Sequence, residues 1–377
     1  MNRLTQNNAH SPQPSTRASR ARRRLTRACR VIALTLLCAL PTPRAHAQDS
    51  APGAMRPDGS FFMIRNNGNN MQAFEWISGP AAGVWQIRGQ LTGVRTLSKP
   101  AGRTPTGGFH FTANSGPNTR PFLMQWEPNR AIPFTVQGVP FNNVAFMSPP
   151  SEVMYGNRVL VSAGTGDRDV AGFGFLSERF MWGNTQWVTF PRPFGKLLNM
   201  QAPCVLKDGN VIAVDSFGNV VHHWWDTTNN TWNWYNHGPP SRNVKAVSIG
   251  GAMPLTNKFF VTCSDGTLRQ IFYWNGAWLW HNHGKPFGFN VDSPAVSILD
   301  GKLFVRASSG GQSILAQLYW NGSWIWFNHG APPNTGILSV PATAMGGETV
   351  SLLGTDGNYH LCQWNGAAWV WRNIGRP

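Results

Sequence analysis

The sequence predicts an all-β chain folded as a seven-bladed β-propeller with four antiparallel strands per blade. Three recurring landmarks carry that expectation: a Trp-rich phrase, a partner Trp before it, and a Gly turn before that. The phrase reads WNWYNHGPP from Trp232, WLWHNHGKP from Trp278 and WIWFNHGAPP from Trp324, and a worn copy, WVWRNIGRP, runs from Trp369 to the last residue. An interval near 45 residues belongs to units that cannot bury their apolar face alone and stack on neighbours. No long stretch has a 3.6-residue period. Short apolar or alternating runs stand between Gly, Asn and Asp instead, which is strand and turn punctuation.

The partner Trp is regular at Trp274, Trp320 and Trp364, and Trp225, Trp182, Trp126 and Trp76 continue the series towards the N-terminus. Seven anchors result, each preceded by a Gly in a polar turn, at Gly68, Gly116, Gly166, Gly218, Gly266, Gly310 and Gly357. In the first three units the phrase decays to VWQIRGQ from Val84, PFTVQGVP from Pro133 and WVTFPRP from Trp187. The fifth unit shows the strands best, at 245–253, 258–264, 268–274 and 277–283. Four strands in each of seven units suit a radial arrangement with short, protected edges. Residues 51–55 echo 341–345, which makes them the innermost strand of the first unit.

The continuous repeat assigns 48–377 to a single propeller domain. Residues 1–47 stand apart, with nine arginines and no acidic residue, an apolar run at 31–40, and Ala45 and Ala47 as a small-x-small cleavage signal. This reads as a basic leader and secretory signal peptide cut after Ala47, placing the protein outside the cytoplasm, secreted or periplasmic. The apolar run is too short to span a bilayer. Without the leader, 23 basic residues face 16 acidic ones, so the formal charge falls from +16 to +7. The remaining basic residues are scattered, which is poor footing for nucleic acid. Cys204, Cys263 and Cys362 fall in separate strand-like runs and read as small buried hydrophobes. No spacing suggests a metal site, and no cofactor is expected.

In a four-stranded blade the turn between second and third strands shares one face with the connector into the next blade. The Gly turns therefore meet the NHG segments there. Aromatic faces pack on the C–H patches of sugars while planar polar groups bond the hydroxyls, so Trp, Asn and His recurring together suit a saccharide, and repetition suits avidity. The candidate ligand residues are Trp234, Asn236 and His237; Trp280, Asn282 and His283; Trp326, Asn328 and His329; and Trp371. Each has a second reading. The anchor Trps and the first Trp of each phrase serve inter-blade packing. Asn236, Asn282, Asn328 and Asn373 stabilise turns or meet ligand. His237, His283 and His329 meet ligand or hold a structural hydrogen bond. The glycines at 238, 284, 330 and 375 are turn formers.

The copies WNGAWLWHNHGKP and WNGSWIWFNHGAPP resemble the repeats of the PLL-type seven-bladed propeller lectins, closely over 200–377 and only in architecture over 51–199. The resemblance implies binding of fucose and O-methylated sugars in pockets between blades, no catalysis, and homo-oligomers. It carries sites only where the phrase survives. The last unit has Ile374 in place of His, and the first three units lack NHG.

A lectin for fucosylated or O-methylated glycans is therefore the leading expectation. The alternative is a non-enzymatic propeller scaffold for protein or envelope interaction. Catalysis is not expected: acidic residues such as Asp265 and Asp356 stand singly in turns, and Glu152, Asp167 and Asp169 are the ones to watch in the irregular loops.

Overall fold

In the computed structural model the chain divides into two compact units, Met1–His46 and Ala47–Pro377. The structure describes residues 54–377 apart from short stretches, the longest 147–157, 166–174 and 251–257. The expected leader with its cleavage site, and Glu152, Asp167 and Asp169, lie outside the described residues.

The second unit is an all-β propeller of antiparallel sheets whose strands run in chain order. The expected seven blades of four strands each are not what forms. Six sheets have four strands, at 54–91, 95–138, 144–189, 204–238, 246–284 and 342–375. The sheet at 290–330 departs from them: its innermost position is divided between Asn290–Val291 and Val296–Ser297, both paired with Leu303–Ser309. Pro294 lies in the gap and has no N–H to give a ladder. Ser293 fills the vacancy, its hydroxyl accepting the Arg306 backbone N–H at 2.9 Å.

Burial follows position within a sheet. Second strands such as Val211–Val214 and Lys258–Cys263 are buried almost throughout, because sheets cover both of their faces. Outermost strands such as Ala277–Gly284 alternate half-buried and exposed residues, with one row against a neighbour and the other free. Apolar side chains from adjacent sheets merge into shared cores. Ile212, Val214 and Leu206 meet Phe259, Val261 and Ile271, Phe260 and Leu268 meet Val305 and Ala316, and Phe304 and Leu315 meet Val350 and Leu352. Phe61, Met63 and Trp76 of the first sheet meet Leu353, Tyr359 and Ile374 of the last. Cys204, Cys263 and Cys362 are free thiols, and burial pushes Cys263 and Cys362 up to about 12.

The anchor Trps do not share one position. Trp76 and Trp126 are buried in sheet cores, whereas Trp225, Trp274, Trp320 and Trp364 stand exposed at the hairpins between third and fourth strands. At Trp274 the hairpin is a two-residue turn with Asn275 at φ 48° and Gly276 at φ 81°, both in the left-handed region that a primed turn requires.

Candidate functional site

The recurring Asn-His-Gly is the sequence of a β-bulge. In the sheet at 246–284, Arg269 pairs with Asn282 and Leu268 with Gly284, so His283 is the extra residue. His237 and His329 are extra in the same way between Asn236 and Gly238 and between Asn328 and Gly330. Asn Oδ1 accepts the Gly N–H at 2.8, 2.9 and 2.8 Å in the three copies, and each Gly has a positive φ that closes the bulge. A bulge re-aims a side chain out of the pleat. Here it turns each imidazole towards the next sheet.

The same bulge recurs where the phrase is gone. Arg88, Gln137 and Ile374 are the extra residues of the sheets at 54–91, 95–138 and 342–375. In all six cases the bulged residue meets one register position on the third strand. Arg88 donates to Glu75 at 2.6 Å, and Gln137 to Gln125 at 2.6 Å. His237 stacks on His222 with ring centroids 5.5 Å apart. His283 Nε2 lies 3.0 Å from Gln270 Oε1, and His329 Nε2 lies 2.8 Å from Gln317 Oε1. Ile374 faces Leu361, an apolar pair in a shared core. The partners change together, from ion pair to amide pair to imidazole to aliphatic.

The bulge also frees a carbonyl from its ladder, and the next sheet uses it. Trp280 Nε1 donates to the His237 carbonyl at 3.4 Å, Trp326 to that of His283 at 2.9 Å, and Trp371 to that of His329 at 3.0 Å. Trp85 donates to the Ile374 carbonyl at 2.8 Å. The second Trp of the phrase is thus a staple between sheets, and its ring is half-buried against their shared cores. Trp234 occupies the same strand position, packed with Phe190 and Leu198. Asn236, Asn282 and Asn328 are exposed, with Oδ1 committed to the bulge.

Between sheets the rings form strings that start and finish in solvent. His281, His283, Trp324 and Trp320 follow one another at centroid distances of 4.6, 5.0 and 5.5 Å. Phe327, His329, Trp369 and Trp364 repeat the string at 4.8, 5.1 and 6.1 Å. Tyr235, His237, Trp278 and Tyr273 do so at 4.9, 4.9 and 5.3 Å. In each groove the bulged His and the first Trp are the half-buried floor, and the end rings are exposed. Burial holds His237 and His283 down to about 3, with His222 and His281 adding to the effect, and holds His329 to about 4. The floors are therefore uncharged at neutral pH. An aromatic groove with a neutral, hydrogen-bonding base accommodates an uncharged polar ligand that has apolar C–H faces.

No family model matches this sequence, and no curated protein matches it either. Solved structures do. A prolyl endopeptidase is similar over 92% of this chain with a TM-score of 0.59 at 12% identity, and the chain spans only 52% of it. A 6-phosphogluconolactonase candidate from Bacteroides uniformis is similar over 83% of this chain and 94% of its own, with a TM-score of 0.54 at 10% identity. A variant of Aleuria aurantia lectin in complex with Fucα1-6GlcNAc covers 74% of this chain and 96% of its own, with a TM-score of 0.42 at 15% identity. At these identities the first two speak for the propeller fold alone.

The groove brings in the exposed rings of Tyr235, His281, Phe327 and Tyr273, which sequence reasoning passed over, and Trp320, Trp364 and the first Trp of each phrase, which it assigned to inter-blade packing. One signal was available. The residue after the second Trp is ring-bearing in each intact phrase, and strand alternation sets it on the side opposite the two Trps. Among the described residues no group of His, Cys, Asp and Glu is arranged to hold a metal.

Proposed function

We propose that the protein is a secreted or periplasmic lectin, released from its leader after Ala47, whose domain at 48–377 binds fucosylated or O-methylated glycans multivalently and without catalysis. The observation that supports this reading is the ring string repeated at three successive sheet junctions, with its exposed ends and neutral floor. In this reading Trp320 and Trp364 stack on the sugar, and His283 and His329 present the polar floor. Asn282 and Asn328 lie at the rim, where their amide N–H groups meet hydroxyls. Trp234, Trp280, Trp326 and Trp371 hold the sheets at the spacing the sugar needs. The choice of fucose-type or methylated sugar rests on the resemblance of the repeats, and the methyl or deoxy position adds an apolar patch for the indole.

Glycan-array screening followed by titration calorimetry tests the reading. Micromolar to millimolar binding of a fucosylated or methylated saccharide is expected, with more than one site per chain. Trp320→Ala is expected to remove one site and leave the melting temperature within about 2 °C, as an exposed substitution does. No saccharide bound at millimolar concentration sinks the proposal.

A further inference from the structure

The face opposite the Asn-Gly hairpins carries a feature that sugar binding leaves unexplained. The tripeptide Pro-Phe-Gly occurs twice in connectors between sheets, at Pro193–Gly195 and Pro286–Gly288. Phe194 stands at φ 51°, ψ 33° and Phe287 at φ 52°, ψ 28°, in the left-handed region. A bulky residue is strained there. The corresponding turns of the neighbouring connectors, Ser241–Val244 and Pro332–Thr335, have a positive φ only at their third residue, Asn243 and Asn334, where the Pro-Phe-Gly turns have Gly195 and Gly288, so the left-handed second residue is particular to the Phe turns. Phe is thus not chosen for the backbone. Nor is it chosen for packing, because Phe194 is 55% exposed and Phe287 53%. Strain kept for an exposed aromatic points outward, to a contact beyond the chain.

The surroundings say what kind. Phe217, Val247 and Leu338 are exposed on the same face. Its segments are continuous: Asn199 Nδ2 donates to the Val247 carbonyl at 3.2 Å, Lys245 N–H to Ser264 Oγ at 3.0 Å, and Val291 N–H to the Gly266 carbonyl at 2.9 Å. Arg242, Lys245 and Lys285 lie exposed on these connectors, and none has an ion-pair partner among the described residues. Lys196 lies 4.9 Å over the Phe217 ring. Among the described residues the acidic groups of the face are engaged within it. Asp215 accepts the Phe217 and Asn219 N–H groups, Asp265 pairs with Arg269 at 3.2 Å, Asp292 with Arg306 at 2.8 Å, and Asp356 with His360 at 3.2 Å. Protruding aromatics among uncompensated cations match a surface with an apolar interior and anionic headgroups.

We propose that this face docks on an anionic lipid bilayer, with Phe194 and Phe287 inserted at the headgroup boundary and Arg242, Lys245 and Lys285 over the lipid phosphates. Docking does not depend on sugar binding, so either proposal can fail alone.

Sedimentation of the full chain with vesicles of phosphatidylcholine, and of phosphatidylcholine with about 30% phosphatidylserine, tests the docking. The wild-type chain and the double variant Phe194→Asn/Phe287→Asn are compared. The basic leader is common to both, so the difference between them reports the face. Asn suits the left-handed region, so the variant is expected to melt no lower than the wild type. Its partitioning into the anionic vesicles is expected to fall at least about tenfold, as losing the burial of two rings implies. A triple Arg242→Gln/Lys245→Gln/Lys285→Gln variant is expected to lose the preference for anionic over neutral vesicles that the wild type shows beyond its leader. Equal partitioning of the wild type and the double Phe variant overturns the proposal, as does an anionic preference unchanged in the triple variant.

Discussion

Changing His329 to Ile removes a half-buried imidazole and leaves the Gln317 amide, 3% exposed, without its partner. The cost expected is about 1–3 kcal/mol, that of an unsatisfied buried polar group. The last sheet already contains the repaired version, in which Ile374 faces Leu361 at the same two positions. Gln317→Leu/His329→Ile is therefore expected to recover most of the loss, and denaturant melts of the four proteins measure the coupling. Additive single effects would show that the two positions do not act as a pair. The same residue scale separates the two Trps of a phrase: the second gives its N–H to the neighbouring sheet, and the first lies in the groove floor.

At the scale of the element, each bulge carries an imidazole into the space between two sheets, and that makes the junctions sensitive to acid. His222 and His223 are held near 4 and 3 by burial, and His237, His283 and His329 are depressed as well. These groups stay neutral in the folded protein, while in the unfolded chain they take up protons near pH 6.5. Stability is thus fully present above about pH 6.5 and is lost progressively as pH falls towards 4. Melting temperatures at pH 7.5, 6.0 and 5.0 are expected to fall monotonically, and a flat profile across that window would refute the depressed values. The sheet at 204–238 is expected to loosen first in hydrogen exchange, because His222 has neither ring nitrogen partnered among the described residues. Here the limits of the sequence are visible too. The phrase, its interval and the all-β punctuation were plain, but a bulge is a property of register, and Arg88, Gln137 and His283 share no chemistry that would align them. The uneven spacing from Trp76 to Trp225 was the trace of a real difference: Trp76 and Trp126 are core residues, not hairpin ones. The split inner strand at 290–297 turns on Pro294, whose effect on a ladder is legible only once the strand is placed.

At the scale of the whole molecule, neighbouring sheets at 204–375 share apolar cores of the same kind, so no single one of these junctions dominates stability. The junction between first and last sheets is the exception in kind, because Trp85 and Ile374 are 289 positions apart. Trp85→Phe keeps an aromatic ring but removes the N–H and part of the packed indole, and is expected to cost about 2 kcal/mol. Trp326→Phe removes the same kind of bond between sheets adjacent in sequence and is expected to cost a similar amount at equilibrium. The two are expected to differ in kinetics. The Trp85 contact belongs to a loop that closes late, so its loss raises the unfolding rate with little change in folding rate, which stopped-flow measurements read directly. For the growing chain this means waiting. Phe61, Met63 and Trp76 lack their final cover until Tyr359 to Ile374 have been made, and through that interval the first sheet offers an apolar face to whatever is nearby. A protein of this design depends on what shields its first sheet before its own last strand arrives.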